Sequence, residues 1–244
     1  MKCTSPQLRN MLFLDIETVP RHATYAELSD NWKTLWQAKH NTFRDIQETE
    51  EESYASRAGI YAEFGKVICV SVGYFHRDKA LDTDMFRVKS FSRDDEKTLL
   101  EELAVMLRKY FRDSDTWQIT GHNVREFDIP YLCRRMLANG LELPEILDVS
   151  GRKPWEMNIF DTLQQWRFGD YKNYTSLKLI AATLDIPSPK DDIEGKDVAR
   201  VYWQEKELPR IVTYCQRDVI TVARIVMKLC GETEQLLDEN TIVL

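Results

Sequence analysis

A surplus of positive charge is missing from this chain: 40 Asp and Glu outnumber 33 Lys and Arg, giving a formal net charge of −7. A polyanionic partner is not excluded on that ground, because the distribution of charge decides the question rather than its sum. Cysteine is sparse. The five residues Cys3, Cys69, Cys133, Cys215 and Cys230 are odd in number, widely spaced and free of any C-x-x-C, so neither a disulfide framework nor a zinc site is indicated, and a reducing cytoplasm fits. No apolar run approaches the roughly 20 residues needed to cross a bilayer, and no signal-like stretch opens the chain. A soluble, cytoplasmic protein with no membrane partner is expected. Repeats and low-complexity tracts are absent, and no histidine follows His122.

With 244 residues, 43% of them hydrophobic and 11% aromatic, the chain can bury a substantial core, and one domain over residues 1–244 is the default. Strand patterns recur at Met11 to Leu14, Lys66 to Phe75, Met85 to Phe91 and Thr116 to Thr120. Helical periodicity marks Asp94 to Phe111, Pro130 to Asn139, Asp161 to Phe168, Ser176 to Leu184 and Leu208 to Cys230. Ser92, ahead of Asp94-Asp95-Glu96, reads as a helix cap. Residues 21–64 carry aromatics, charges and two weaker helical patterns. They read as a helical insertion packed on a sheet, with the alternative of a lid whose aromatics stack on single-stranded bases. Residues 231–244 read as a C-terminal tail.

Three short motifs carry chemistry. Asp15 and Glu17 follow the apolar strand Met11 to Leu14 and, as i and i+2, project to one face. Two like charges held together need compensation, and hard divalent cations with oxygen ligands supply it. Asn123 lies in the loop leaving the strand at Thr116 to Thr120, and Asp128 stands at the junction with the next helix, where the helix dipole tolerates an anion. Tyr214 and Asp218, i and i+4 within Leu208 to Leu229, share one helix face about 6 Å apart along the axis. Arg125, Arg134 and Arg135 follow the second motif, and Arg210, Arg217 and Arg224 form a seven-residue stripe through the third. The stripe suits a nucleic-acid backbone or a simple surface role.

Together the motifs resemble those of the DEDD exonuclease superfamily: D-x-E as Asp15-Ile16-Glu17, N-x(3)-F-D as Asn123 to Asp128, and Y-x(3)-D as Tyr214-Cys215-Gln216-Arg217-Asp218. Thr213 occupies the position where the DEDDh branch carries histidine. The chain is thus similar to the DEDDy branch and to the proofreading exonuclease domain of family B DNA polymerases, over roughly residues 9 to 230. Phe64 to Gly73 and Ile159 to Thr162 strengthen that likeness.

The resemblance implies an α/β, RNase H-like mixed sheet flanked by helices, with residues 21–64 inserted after the first strand. It also implies 3′-to-5′ hydrolysis of single-stranded nucleic acid, DNA ahead of RNA, releasing nucleoside 5′-monophosphates with two Mg²⁺ or Mn²⁺ ions. By the family pattern Asp15 bridges both ions, Glu17 and Asp218 complete the water-activating position, Asp128 holds the second ion and Tyr214 orients the attacking water. Thr18, Asn123, Phe127 and Lys190 are candidate substrate contacts, and Asp161 reads as a structural cap. No polymerase segment follows, so proofreading in cis is not expected; a partner polymerase or a repair partner fits. A haloacid-dehalogenase-type phosphatase would carry Asp at the position of Glu17 and lacks a counterpart to Tyr-x(3)-Asp. A non-catalytic nucleic-acid-binding relative would have lost at least one of the four acids. A 3′-5′ exoribonuclease stays open as an alternative substrate class.

Overall fold

The structure, a computed structural model, describes residues 5–44, 47–80, 82–187, 193–232, 236 and 238–244. A single turn α1 (Ser5–Leu8) leads into β1 (Met11–Pro20), followed by α2 (Asp30–His40), α3 (Glu50–Arg57), β2 (Gly65–Asp78) and β3 (Thr83–Ser92). Then come α4 (Glu96–Tyr110), β4 (Gln118–Gly121), α5 (Asp128–Ala138), β5 (Ile159–Asp161), α6 (Thr162–Arg167) and α7 (Leu177–Thr183). The short α8 (Val198–Arg200) runs through a π turn, Val201–Glu205, towards the long α9 (Leu208–Cys230) and the edge strand β6 (Thr241–Val243).

The six strands form one mixed sheet in the order β5-β4-β1-β2-β3-β6. β1 is antiparallel to β2 and parallel to β4, so it lies inside the sheet with both edges paired. Alternation along β1 decides which side chain meets which layer. Leu12, Leu14 and Ile16 enter a core shared with Leu99, Leu103, Ile129 and Leu132 from α4 and α5. Met11 and Phe13 enter the opposite core with Val219, Val222 and Val226 of α9. Asp15 and Glu17 continue this second set, which aims them at the α9 side. The architecture is the expected RNase H-like mixed sheet flanked by helices.

β1 runs six residues past its apolar segment, because Asp15 to Pro20 keep pairing with β2, and the ladder needs backbone groups rather than apolar side chains. The cap of α4 is Asp95, not Ser92: the Asp95 carboxylate accepts from Thr98 N at 2.9 Å. The segment expected as a tail contributes β6, paired parallel to β3. Cys69, Cys133 and Cys215 are free thiols while Cys230 is disulfide-bonded, with a partner outside the described residues. The odd count gave no sign of this pairing, which removes the cysteine argument for a reducing compartment. Among the described residues no helix is long and apolar enough to cross a membrane.

The insertion is built by α2 and α3. Thr49 and Glu52 close a capping box at the start of α3. Trp36 is fully buried, edge-on to Phe64 at 5.0 Å and to Tyr54 at 5.3 Å, and its indole N–H donates to Glu50 O at 3.0 Å. Trp32 packs edge-on to Phe64 at 5.7 Å. These aromatics form a private core, as the packed hairpin expects, and Trp36 has no face left for a base.

Candidate active site

The three motifs converge from separate elements on one pocket of about 600 Å³, lined by Asp15, Glu17, Asn123, Phe127, Asp128, Tyr214 and Asp218 among others. Asp15 and Glu17 come from β1. Asp128 opens α5 and is locked by its Oδ1, which accepts from Ile16 N at 3.1 Å, tying the helix start to the strand. α9 approaches β1 closely enough for the Cys215 thiol to donate to the Asp15 carbonyl at 3.5 Å across 200 residues of sequence. That approach brings Tyr214 and Asp218 over the carboxylates, and the Tyr214 hydroxyl donates to Asp218.

The loop carrying Asn123 owes its shape to two residues outside the motifs. At Gly121 a Cβ would lie 2.8 Å from Leu14 O and 2.7 Å from Val124 Cβ, so only glycine lets the end of β4 pass β1 this closely. Asp161 does more than cap α6: its carboxylate accepts from Leu163 N at 2.9 Å and Gln164 N at 3.3 Å, and also from Asn123 N at 3.0 Å and Arg125 N at 3.1 Å. The cap reading was right and incomplete, since this carboxylate also clamps the second motif. Asn123 itself sits in the left-handed region at φ 59°, which asparagine tolerates better than most side chains.

Burial dominates the electrostatics. It pushes the Asp15 carboxyl well above the usual range, with the charges of Asp218 and Asp128 adding to the effect. Glu17 is raised by burial and then by Asp15 and Asp218. Asp128 is pushed up to about 7 by burial, against the lowering effect of its backbone hydrogen bonds. The Tyr214 hydroxyl is also raised by burial and by Asp218, Glu17 and Asp15, so it stays protonated at neutral pH and can donate but not act as a base.

Asp15 Oδ2 and Asn123 Oδ1 are buried in this pocket without a hydrogen-bond partner. An orphaned carboxylate oxygen among other acids is a place for a cation. Asp15, Glu17 and Cys215 offer ligand atoms within 4.8 Å of one another and form a candidate metal-coordinating cluster. Burial beside Cys69 raises the Cys215 thiol, which also donates to the Asp15 carbonyl. Asp128 and Asp218 line the same pocket, and carboxylate oxygens are the donors that hard cations favour.

The remaining expectations fared unequally. Asn123 and Phe127 line the pocket, whereas Thr18 lines an adjoining pocket of about 230 Å³ that shares Ile16, Glu17 and Phe127 with it. Lys190 lies outside the described residues. Arg135 is not a surface contact: it is buried and paired with Glu96 at 2.6 Å. Arg210 is occupied by Glu205, and Arg224 by Asp238 together with the carbonyls of Leu236 and Pro187, so the stripe on α9 is not a free cationic track. Sequence reading missed His122, Tyr174 and Lys178, which also line the pocket. His122 bonds Thr162 Oγ1 at 3.0 Å and Thr175 O at 3.1 Å, and burial lowers its pKa, so it serves as a neutral tether.

A family model described as "Predicted 3'-5' exonuclease related to the exonuclease domain of PolB" matches residues 60–240, a span that includes the second and third motifs and begins after the first. Among solved structures, the family B DNA polymerase from the hyperthermophilic archaeon Pyrobaculum calidifontis is similar over 90% of this chain, with a TM-score of 0.54 and 15% identity. That likeness is one of fold, and the chain spans 24% of the polymerase's length. Among curated proteins nothing matches the chain.

Proposed function

Because the chain belongs to the family of predicted 3′-5′ exonucleases related to the exonuclease domain of PolB, we propose that it is a metal-dependent 3′-5′ exonuclease of the DEDDy type. It removes nucleoside 5′-monophosphates from the 3′ ends of single-stranded nucleic acid, DNA in preference to RNA. The observation that carries this reading is the convergence of Asp15, Glu17, Asp128 and Asp218 on one pocket in which Asp15 Oδ2 is buried without a partner. Carboxylates gathered in this way are costly unless cations neutralise them.

Asp15, Glu17, Asp128 and Asp218 would hold two Mg²⁺ or Mn²⁺ ions, which supply Lewis acidity at the phosphoryl group and a lowered pKa for water. Tyr214, protonated and hydrogen-bonded to Asp218, orients the attacking water as a donor. Asn123 and Phe127 shape the wall against which the terminal nucleotide rests, and Thr18 borders the neighbouring recess. Matched single-stranded DNA and RNA, labelled at the 5′ end and incubated with Mg²⁺ or Mn²⁺, test the reading. A descending ladder is expected, stronger for DNA. Internal fragments, or intact strands with both metals, would overturn it, and a ladder from RNA alone would reassign the substrate.

A further inference from the structure

Three aromatic side chains on one loop beside the pocket stand open to solvent. Phe168, Tyr171 and Tyr174 lie between α6 and α7 and are 88%, 71% and 63% exposed. The aromatics of the insertion behave in the opposite way and close on one another. Phe168 presents its ring from a left-handed backbone, φ 44° and ψ 34°, a conformation uncommon for a bulky residue. The loop is fastened at both ends. Asp170 N donates to Arg167 O at 2.8 Å, Lys172 N donates to Asp170 Oδ1 at 3.0 Å, and His122 holds Thr175 O at 3.1 Å.

Tyr174 lines the acidic pocket itself, whereas Tyr171 and Phe168, earlier on the same loop, do not line it. Successive aromatics are three residues apart, which keeps their Cα atoms within about 10 Å. Two cations accompany them, each beside a carboxylate: the Arg167 guanidinium lies 5.6 Å from the centre of the Tyr171 ring and 3.5 Å from Glu126, and Lys178, which lines the pocket with Tyr174, lies 3.8 Å from Glu194. Exposed rings in succession suit unpaired bases, whose faces stack on them. A duplex hides the faces of its bases and cannot use them.

We propose that Phe168, Tyr171 and Tyr174 form a stacking track that carries the nucleotides preceding the 3′-terminal one out of the pocket and selects single strands over duplex. The track rests on the exonuclease reading above.

Fluorescence anisotropy in Mg²⁺ tests it, with the full chain carrying Asp15→Asn so that strands are bound and not consumed. Affinities are measured for a 5′-labelled single-stranded DNA and for the same strand with abasic sites in place of the bases preceding the 3′ terminus. Both are repeated after adding Phe168→Gly or Tyr171→Ala. Glycine suits the left-handed backbone and Tyr171 is exposed, so both variants keep the fold, which the melting temperature verifies. Removing bases should weaken binding to the parent by roughly 5- to 150-fold per stacked base. Each ring substitution should weaken the intact strand by a similar factor and shrink the abasic penalty, while Tyr171→Trp restores it. An unchanged penalty in the ring variants overturns the track. If the wild type still yields a ladder in a parallel digestion, only the track falls; if it neither cleaves nor binds, the exonuclease reading falls with it.

Discussion

Carboxylates at two places around the same sheet are treated in opposite ways. Glu96, in the first turn of α4, has both oxygens occupied: Arg135 donates to Oε1 at 2.9 Å and to Oε2 at 2.6 Å, Val67 N donates to Oε1 at 2.7 Å and Asn139 donates to Oε2 at 3.0 Å. Arg135 in turn donates to Ala62 O at 2.9 Å, so the guanidinium joins α4, α5 and the end of the insertion. Glu17 and Asp128 are also buried and Asp15 is half-buried, yet they have no cationic side chain among the groups that set their pKa, and one oxygen of Asp15 has no partner at all. A buried charge with a complete set of partners fixes architecture. Carboxylates crowded together without them mark a place for something the chain itself does not supply.

The sharpest separation comes from removing one charge from each set. Asp15→Asn should cut strand degradation by about a thousandfold or more, about 4 kcal/mol at the barrier, while the melting temperature in EDTA holds or rises as repulsion is relieved. Retention of more than about a tenth of the activity would remove Asp15 from the site. Arg135→Ala should do the reverse and destabilise the fold by about 3 to 5 kcal/mol, because it leaves Glu96 buried and unpaired. Urea unfolding measures that loss, and a change below about 1 kcal/mol would show that the pair contributes little.

Within the site itself, Asp218→Ala should abolish activity, whereas Tyr214→Phe should lower kcat by about 10- to 1,000-fold, the range for a positioning partner. Complete loss in Tyr214→Phe would make the hydroxyl indispensable, and unchanged activity would exclude it. The smallest effect is in pH dependence. Without metal, the folded state holds protons on the buried acids that the unfolded chain releases above about pH 4. Stability therefore falls as pH rises towards the Asp128 value of about 7. In EDTA the wild type should lose several degrees of melting temperature across that window relative to Asp128→Asn, and Mn²⁺ should remove the loss. Parallel curves for the two proteins would mean that Asp128 is ionised throughout.

Much of this was legible from one dimension. The periodicity of Leu208 to Cys230 gave α9 its bounds as observed, and the i, i+4 spacing placed Tyr214 beside Asp218 because helix geometry is local. The alternation of Met11 to Glu17 likewise put Asp15 and Glu17 on one face, whatever that face would meet. The two short strands at the sheet edges were not legible: β5 and β6, three residues each, are strands only because a neighbour pairs with them.

What the sequence determined by itself were the elements, the same-face carboxylates and the order of the motifs, all consequences of backbone periods that act within a few residues. Only the tertiary structure decided which charges are partnered. Arg135 and Arg134 are adjacent in sequence, and one is buried against Glu96 while the other is exposed. Trp36 and Tyr171 are both aromatics in polar surroundings, and one is fully buried while the other is open to water. Burial and pairing depend on residues far away along the chain, and these meet only when α4, α5 and α9 close on the sheet.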